Sequence, residues 1–144
     1  MTGCVRVGGP SGGKEGRERH AVARLLLIDD DDEARRTLVR MLETAGHEVH
    51  QAANGDSGIA LCEKVLPVLV ITDILMPEKE GIETIMILKR AHPNMKIVAI
   101  SGGGRSGAMA FLDMARALGA DEALQKPFRR AELLAIVDRL IGGT

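Results

Sequence analysis

Five short apolar runs, each followed by a stretch of helical periodicity, constrain this chain more than any other feature. The runs lie at residues 24–28, 48–52, 68–72, 97–100 and 122–124. The stretches 32–45, 56–65, 81–91, 108–118 and 130–141 space their apolar residues three and four apart. The first carries Leu38, Met41, Leu42 and Ala45 and stops at Gly46; the last carries Leu133, Leu134, Ile136, Val137 and Leu140 and stops at Gly142. Strands apolar at every position are buried on both faces, and strands alternating with helices pair in parallel between two helical layers. The expected fold is therefore α/β, a five-stranded parallel sheet flanked by five helices. With two Phe and no Trp or Tyr, its core has to be aliphatic.

The 144 residues suit one domain. Residues 1–23, rich in glycine with little to bury, read as a flexible tail, and residues 24–142 as the folded unit. A net charge of −1 gives no general attraction to nucleic acid or to an anionic membrane. No apolar run approaches the roughly 20 residues that cross a bilayer, and the N-terminus lacks the apolar core of a signal peptide. A cytoplasmic protein is expected, with Cys4 and Cys62 as reduced thiols in no metal-binding spacing.

In parallel α/β sheets ligands sit beyond the carboxyl ends of the strands. Strand one runs "RLLLI" straight into "DDDD", placing Asp29 and Asp30 at such an end. Strand three ends at Asp73, strand four at Ser101, and strand five at Lys126-Pro127. Clustered carboxylates repel one another, so a positive partner is required. The acids are expected to frame a divalent cation, with Lys126 as a fixed positive charge. Asp31 and Asp32 have a different reading: either could cap helix one and interact well with its dipole.

"LLLIDDDDEAR", "VLVITDILMP", "IVAIS" and "LQKPF" together resemble, in order and spacing, the receiver domain of bacterial two-component response regulators. The resemblance covers about residues 24–141. It implies a doubly wound, flavodoxin-like sheet of strand order 2-1-3-4-5. It also implies a phosphoryl group passed to one aspartate by a sensor histidine kinase or phosphotransfer protein, and a downstream protein partner. Carried over, it makes Asp73 the phosphoacceptor and Asp29, Asp30, Asp73 and the backbone carbonyl of Leu75 the Mg²⁺ ligands. Ser101 and Lys126 would contact the phosphoryl oxygens. Pro77 would fix the loop after Asp73, Gly81 would give the chain room to turn into helix three, and Pro127 would follow Lys126 in cis. The family residue at position 123 is usually an aromatic that moves with the hydroxyl; here it is Ala123. The loop that begins at Gly102, "GGGRSG", is also longer and richer in glycine than usual. Both departures bear on the switch rather than on the phosphorylation chemistry.

Competing readings are weaker. "IDDDDE" fits the D-x-D element of haloacid-dehalogenase-type phosphohydrolases, but that leaves the Asp73 loop unexplained and calls for a longer chain. A degenerate receiver acting only as a binding module would not need the intact acids, Ser101 and Lys126. "GGPSGGK" at 8–14 imitates a P-loop, yet Glu15 stands where Ser or Thr should hold Mg²⁺ and no apolar helix follows. "GGGRSG" at 102–107 imitates a dinucleotide-binding turn, yet strand five ends in Gln125-Lys126 rather than a ribose-binding acid.

Overall fold

The computed structural model describes residues 22–74, 80–101 and 108–142 of the chain. The elements alternate strictly: β1 (Arg24–Ile28), α1 (Asp32–Thr44), β2 (Glu48–Ala52), α2 (Gly55–Val65), β3 (Leu69–Asp73), α3 (Glu80–Ala91), β4 (Lys96–Ser101), α4 (Ala108–Leu118), β5 (Glu122–Gln125) and α5 (Arg130–Gly142). The strands form one parallel sheet in the order β2-β1-β3-β4-β5. Among the described residues, no helix is long and apolar enough to cross a membrane.

Successive side chains of a strand point to opposite faces, so fully apolar strands feed two cores. Leu26, Ile28, Val70, Ile97 and Ala99 pack with Cys62 of α2, Ile85 and Leu88 of α3 and Ala115 of α4. Leu25, Leu27, Leu69, Ile71, Val98 and Ile100 pack with Leu38 and Leu42 of α1 and with Leu133 and Val137 of α5. The buried cores contain no aromatic side chain among the described residues, though Phe128 packs, partly buried, against the second. Cys62 is a free, buried cysteine whose thiol burial pushes up, with the Glu63 carboxylate adding to it.

The helix ends follow local chemistry. Asp31 caps α1, its Oδ1 accepting from the N–H groups of Glu33 (3.0 Å) and Ala34 (3.1 Å). Gly46, at φ +100°, turns the chain out of that helix. Asn54 caps α2 by accepting from the Ser57 N–H at 2.8 Å, so the helix starts at Gly55, one residue earlier than its apolar pattern indicates. Ala23, just before β1, is already tied to the sheet. Its N–H donates to His47 Nδ1 at 3.1 Å, and its carbonyl accepts from the Glu48 N–H at 3.0 Å.

The two sheet edges carry charge. On β2, Glu48 meets His50 Nε2 at 2.6 Å and Arg24 Nε at 3.2 Å. On β5, Glu122 receives Arg139 of α5 at 2.5 Å and Arg116 of α4 at 3.4 Å.

The end of α2 is less comfortable. Leu66 sits in the left-handed region at φ 52°, where a Cβ is disfavoured, and its side chain is 63% exposed. Replacing it with glycine removes that strain while giving up little buried area. The larger backbone freedom of glycine in the unfolded chain offsets part of the gain. Leu66→Gly is expected to stabilise the fold by about 0.5–1 kcal/mol in urea denaturation. A loss of stability would mean that the side chain packs more than its exposure shows.

Candidate functional site

Parallel pairing brings the carboxyl ends of all strands to one edge, and the chemistry-bearing residues arrive with them. Asp29 follows β1 and is 1% exposed. Its N–H donates to the Ala52 carbonyl at 3.1 Å, continuing the sheet one residue past the strand. Its Oδ1 accepts from the Asp31 N–H at 2.9 Å, folding the acidic run back on itself. Asp73 ends β3 opposite Ile100 of β4 and is buried. Asp30 is exposed at the rim. One carboxylate oxygen from each of Asp29, Asp30 and Asp73 lies within 4.8 Å of the others.

Lys126 stands over this group. Its Nζ lies 3.7 Å from Asp29 Oδ2 and 3.8 Å from Asp73 Oδ2, midway between the two buried acids. The peptide from Lys126 to Pro127 is cis. Ser101, fully buried, ends β4, and its carbonyl accepts from the Lys126 N–H at 2.8 Å. Ala123 lies within β5, partly buried against the α2–α4 side of the sheet. Leu75, Pro77 and Gly102, with the rest of the 102–107 loop, lie outside the described residues.

Burial pushes the Asp29 carboxyl above the usual carboxylate range. The Asp31 N–H pulls it back, Asp73 adds repulsion, Lys126 lowers it, and Asp30 adds a smaller push upward. Three carboxylates against the Lys126 ammonium leave negative charge in excess, and every donor is a hard oxygen. An oxygen-rich cluster with one open side suits a small divalent cation that keeps several waters. The residues therefore fit Mg²⁺.

One feature of the site was not read from the sequence. Arg35 of α1 reaches back over the acidic turn. Its Nη1 donates to the Asp29 carbonyl at 2.6 Å, its Nη2 to Asp32 Oδ1 at 2.6 Å, and its Nε to Gln51 Oε1 of β2 at 3.0 Å. The only hint in the sequence is an Asp and an Arg three residues apart on a helix. At Gly81, expected to give the chain room, that room is needed against the backbone at the end of β3. A Cβ there would strike the Ile74 Cα and approach the Asp73 carbonyl oxygen to 2.6 Å. Glycine lets α3 lie directly against the backbone that carries Asp73.

The model of the response regulator receiver domain matches residues 25–138. The chain is 34% identical over 118 residues to the response regulator receiver protein CpdR of Brucella abortus, covering 82% of this chain and 96% of that protein. It is 32% identical over 118 residues to the transcriptional regulatory protein CpxR of Escherichia coli, of whose length it spans only 49%. Its fold is similar to the crystal structure of a putative response regulator from Chloroflexus aurantiacus, with a TM-score of 0.76 and 28% identity. That match covers 84% of this chain and 98% of the other.

Gly81→Ala would force α3 away from main-chain atoms that cannot yield. A loss of about 1–3 kcal/mol is expected in denaturant unfolding. A neutral result would show that the helix slides freely past Asp73.

Proposed function

Because the chain belongs to the response regulator receiver family, we propose that Asp73 accepts a phosphoryl group in a Mg²⁺-dependent reaction and that the phosphorylated protein binds a partner differently. The observation that carries this reading is the placement of Asp73. It ends the middle strand of the sheet, beside two further acids and 3.8 Å from a lysine ammonium. The donor would be a sensor histidine kinase or a phosphotransfer protein, and the output a downstream protein. Support for a receiver acting without an attached output module comes from CpdR, matched over 96% of its length.

A carboxylate oxygen of Asp73 forms the new bond to phosphorus as the bond from phosphorus to the donor nitrogen breaks. The donor keeps the electron pair. Such a transfer needs little covalent help but much neutralisation of the equatorial oxygens. Lys126 would pair with one of them, and the Ser101 hydroxyl, from the neighbouring strand end, would donate to another. Asp29, Asp30, Asp73 and the Leu75 carbonyl would hold Mg²⁺, which when bound supplies charge neutralisation at a phosphoryl oxygen. The phosphohydrolase reading, with Asp29 as nucleophile, fits less well: Asp29 is 1% exposed and already accepts the Asp31 N–H.

The switch has to work without a ring at Ala123. Ser101 leads directly into the glycine-rich segment that begins at Gly102 and ends at α4. Arg116 of α4 reaches Glu122 Oε1 at 3.4 Å and the Ala123 carbonyl at 3.5 Å. Any shift of α4 would therefore be passed to β5 by a guanidinium rather than by an aromatic side chain.

Incubation with acetyl phosphate and Mg²⁺ is expected to add one phosphoryl group, and Asp73→Asn to add none, as read by intact-mass spectrometry. Label on Asp29 or Asp30 would replace this reading with the hydrolase one. The metal is tested separately. Mg²⁺ at a hundred times its dissociation constant is expected to stabilise the protein by about 2.7 kcal/mol. Asp30→Ala is expected to abolish that gain and to raise the metal-free melting temperature, since one repelling charge is gone. A metal-free melting temperature that fell would mean that Asp30 is structurally paired.

A further inference from the structure

We infer that Arg35 is a positioning residue for the acid pair, fixing Asp30 for the cation; this rests on the receiver reading above. The chain leaves the sheet at Asp29, so the Asp29 carbonyl needs a partner outside the ladder. Arg35 Nη1 supplies it at 2.6 Å. That carbonyl belongs to the same rigid peptide plane as the N–H of Asp30, so holding the oxygen orients Asp30 from one side. The next plane is held as well, because the Asp31 N–H donates to Asp29 Oδ1 at 2.9 Å. Asp30, exposed and otherwise at the rim, is thus clamped between two pinned peptide planes.

The clamp is stiff because of how the guanidinium is spent. Its planar fork donates in fixed directions. Nη1 goes to the Asp29 carbonyl, Nη2 to Asp32 at 2.6 Å and Nε to Gln51 at 3.0 Å. The side chain is only 15% exposed. One group therefore ties the end of β1, the first turn of α1 and the outer strand β2 into a single frame. The Arg35–Asp32 pair also offsets a positive charge that would otherwise repel a bound cation.

Position and charge make opposite predictions, which makes the inference testable. Arg35→Met keeps most of the side-chain bulk and deletes both the charge and the bonds. If Arg35 acts by position, Mg²⁺ binding measured by titration calorimetry weakens by about tenfold, as for loss of groups that orient metal ligands. If only its charge matters, Mg²⁺ binds more tightly, and the inference is overturned. A lower metal-free melting temperature with an unchanged Mg²⁺ dissociation constant overturns it too, since Arg35 would then be scaffold alone. Should Arg35→Met fail to fold, Arg35→Lys carries the test. It retains the charge, but one ammonium cannot span three acceptors, so folded Arg35→Lys is expected to bind Mg²⁺ several-fold more weakly than wild type. Wild-type affinity in that variant would overturn the inference. A wild-type protein that binds no Mg²⁺ would instead refute the proposed Mg²⁺-dependent phosphoacceptor function, and this is seen without any variant.

Discussion

A carboxylate buried at the end of a strand is the constraint around which this domain is arranged. Asp29 is 1% exposed, and an isolated charge so placed would be strongly disfavoured. What surrounds it answers that difficulty in layers. The Asp31 N–H bonds one oxygen, Lys126 faces the other at 3.7 Å, and Arg35 takes the carbonyl behind it. Residual repulsion with Asp73 and Asp30 remains, and it is this remainder that makes the pocket receptive to a cation. Full neutralisation by the protein itself would have left nothing for a ligand to relieve.

Parallel pairing is what turns that local arrangement into a site. β1, β3, β4 and β5 each end in a residue that would be unremarkable alone. Because all run the same way, Asp29, Asp73, Ser101 and Lys126 are delivered to one edge without any loop having to fold over to bring them. The two aliphatic cores hold those strands from both faces, which fixes the anchors of the site relative to one another.

Most of this was legible in the sequence, for physical reasons that can be named. Fully apolar strands and periodic helices carry strong local patterns, and the acids, Ser101 and Lys126 were placed by counting to the ends of those strands. The position before an amphipathic run marked Asp31 or Asp32 as the cap, and the structure assigns it to Asp31. Arg35 did not declare itself, because its principal partner is a main-chain carbonyl, and any residue type offers one. That the chain needs room at Gly81 was legible, but only the approach of α3 to Ile74 and Asp73 shows which backbone atoms the room is needed against. Leu66 shows the converse, a left-handed helix end that nothing but the coordinates reveals, since glycine or asparagine usually marks such a place.

The charged rims of the sheet bear on how the molecule behaves in acid. Among the described residues, β2 and β5 are the outer strands of the sheet, the positions where a second chain could add a strand. Glu48 guards one and Glu122 the other. The hydrogen bond from His50 chiefly, with Arg24 assisting, outweighs the small desolvation of Glu48 and lowers its carboxyl. At Glu122 burial alone would raise the carboxyl, but Arg139, the Ala123 N–H and Arg116 together outweigh it and hold it below the usual range. A carboxylate depressed in the folded state lends stability above its unfolded pKa and surrenders it only as pH falls through the lower, folded value. Both guards thus stay ionised further into acid than ordinary surface carboxylates do. The ion pairs Glu48 makes with Arg24 and Glu122 makes with Arg139 and Arg116 therefore persist further into acid than an unpaired carboxylate would keep its charge.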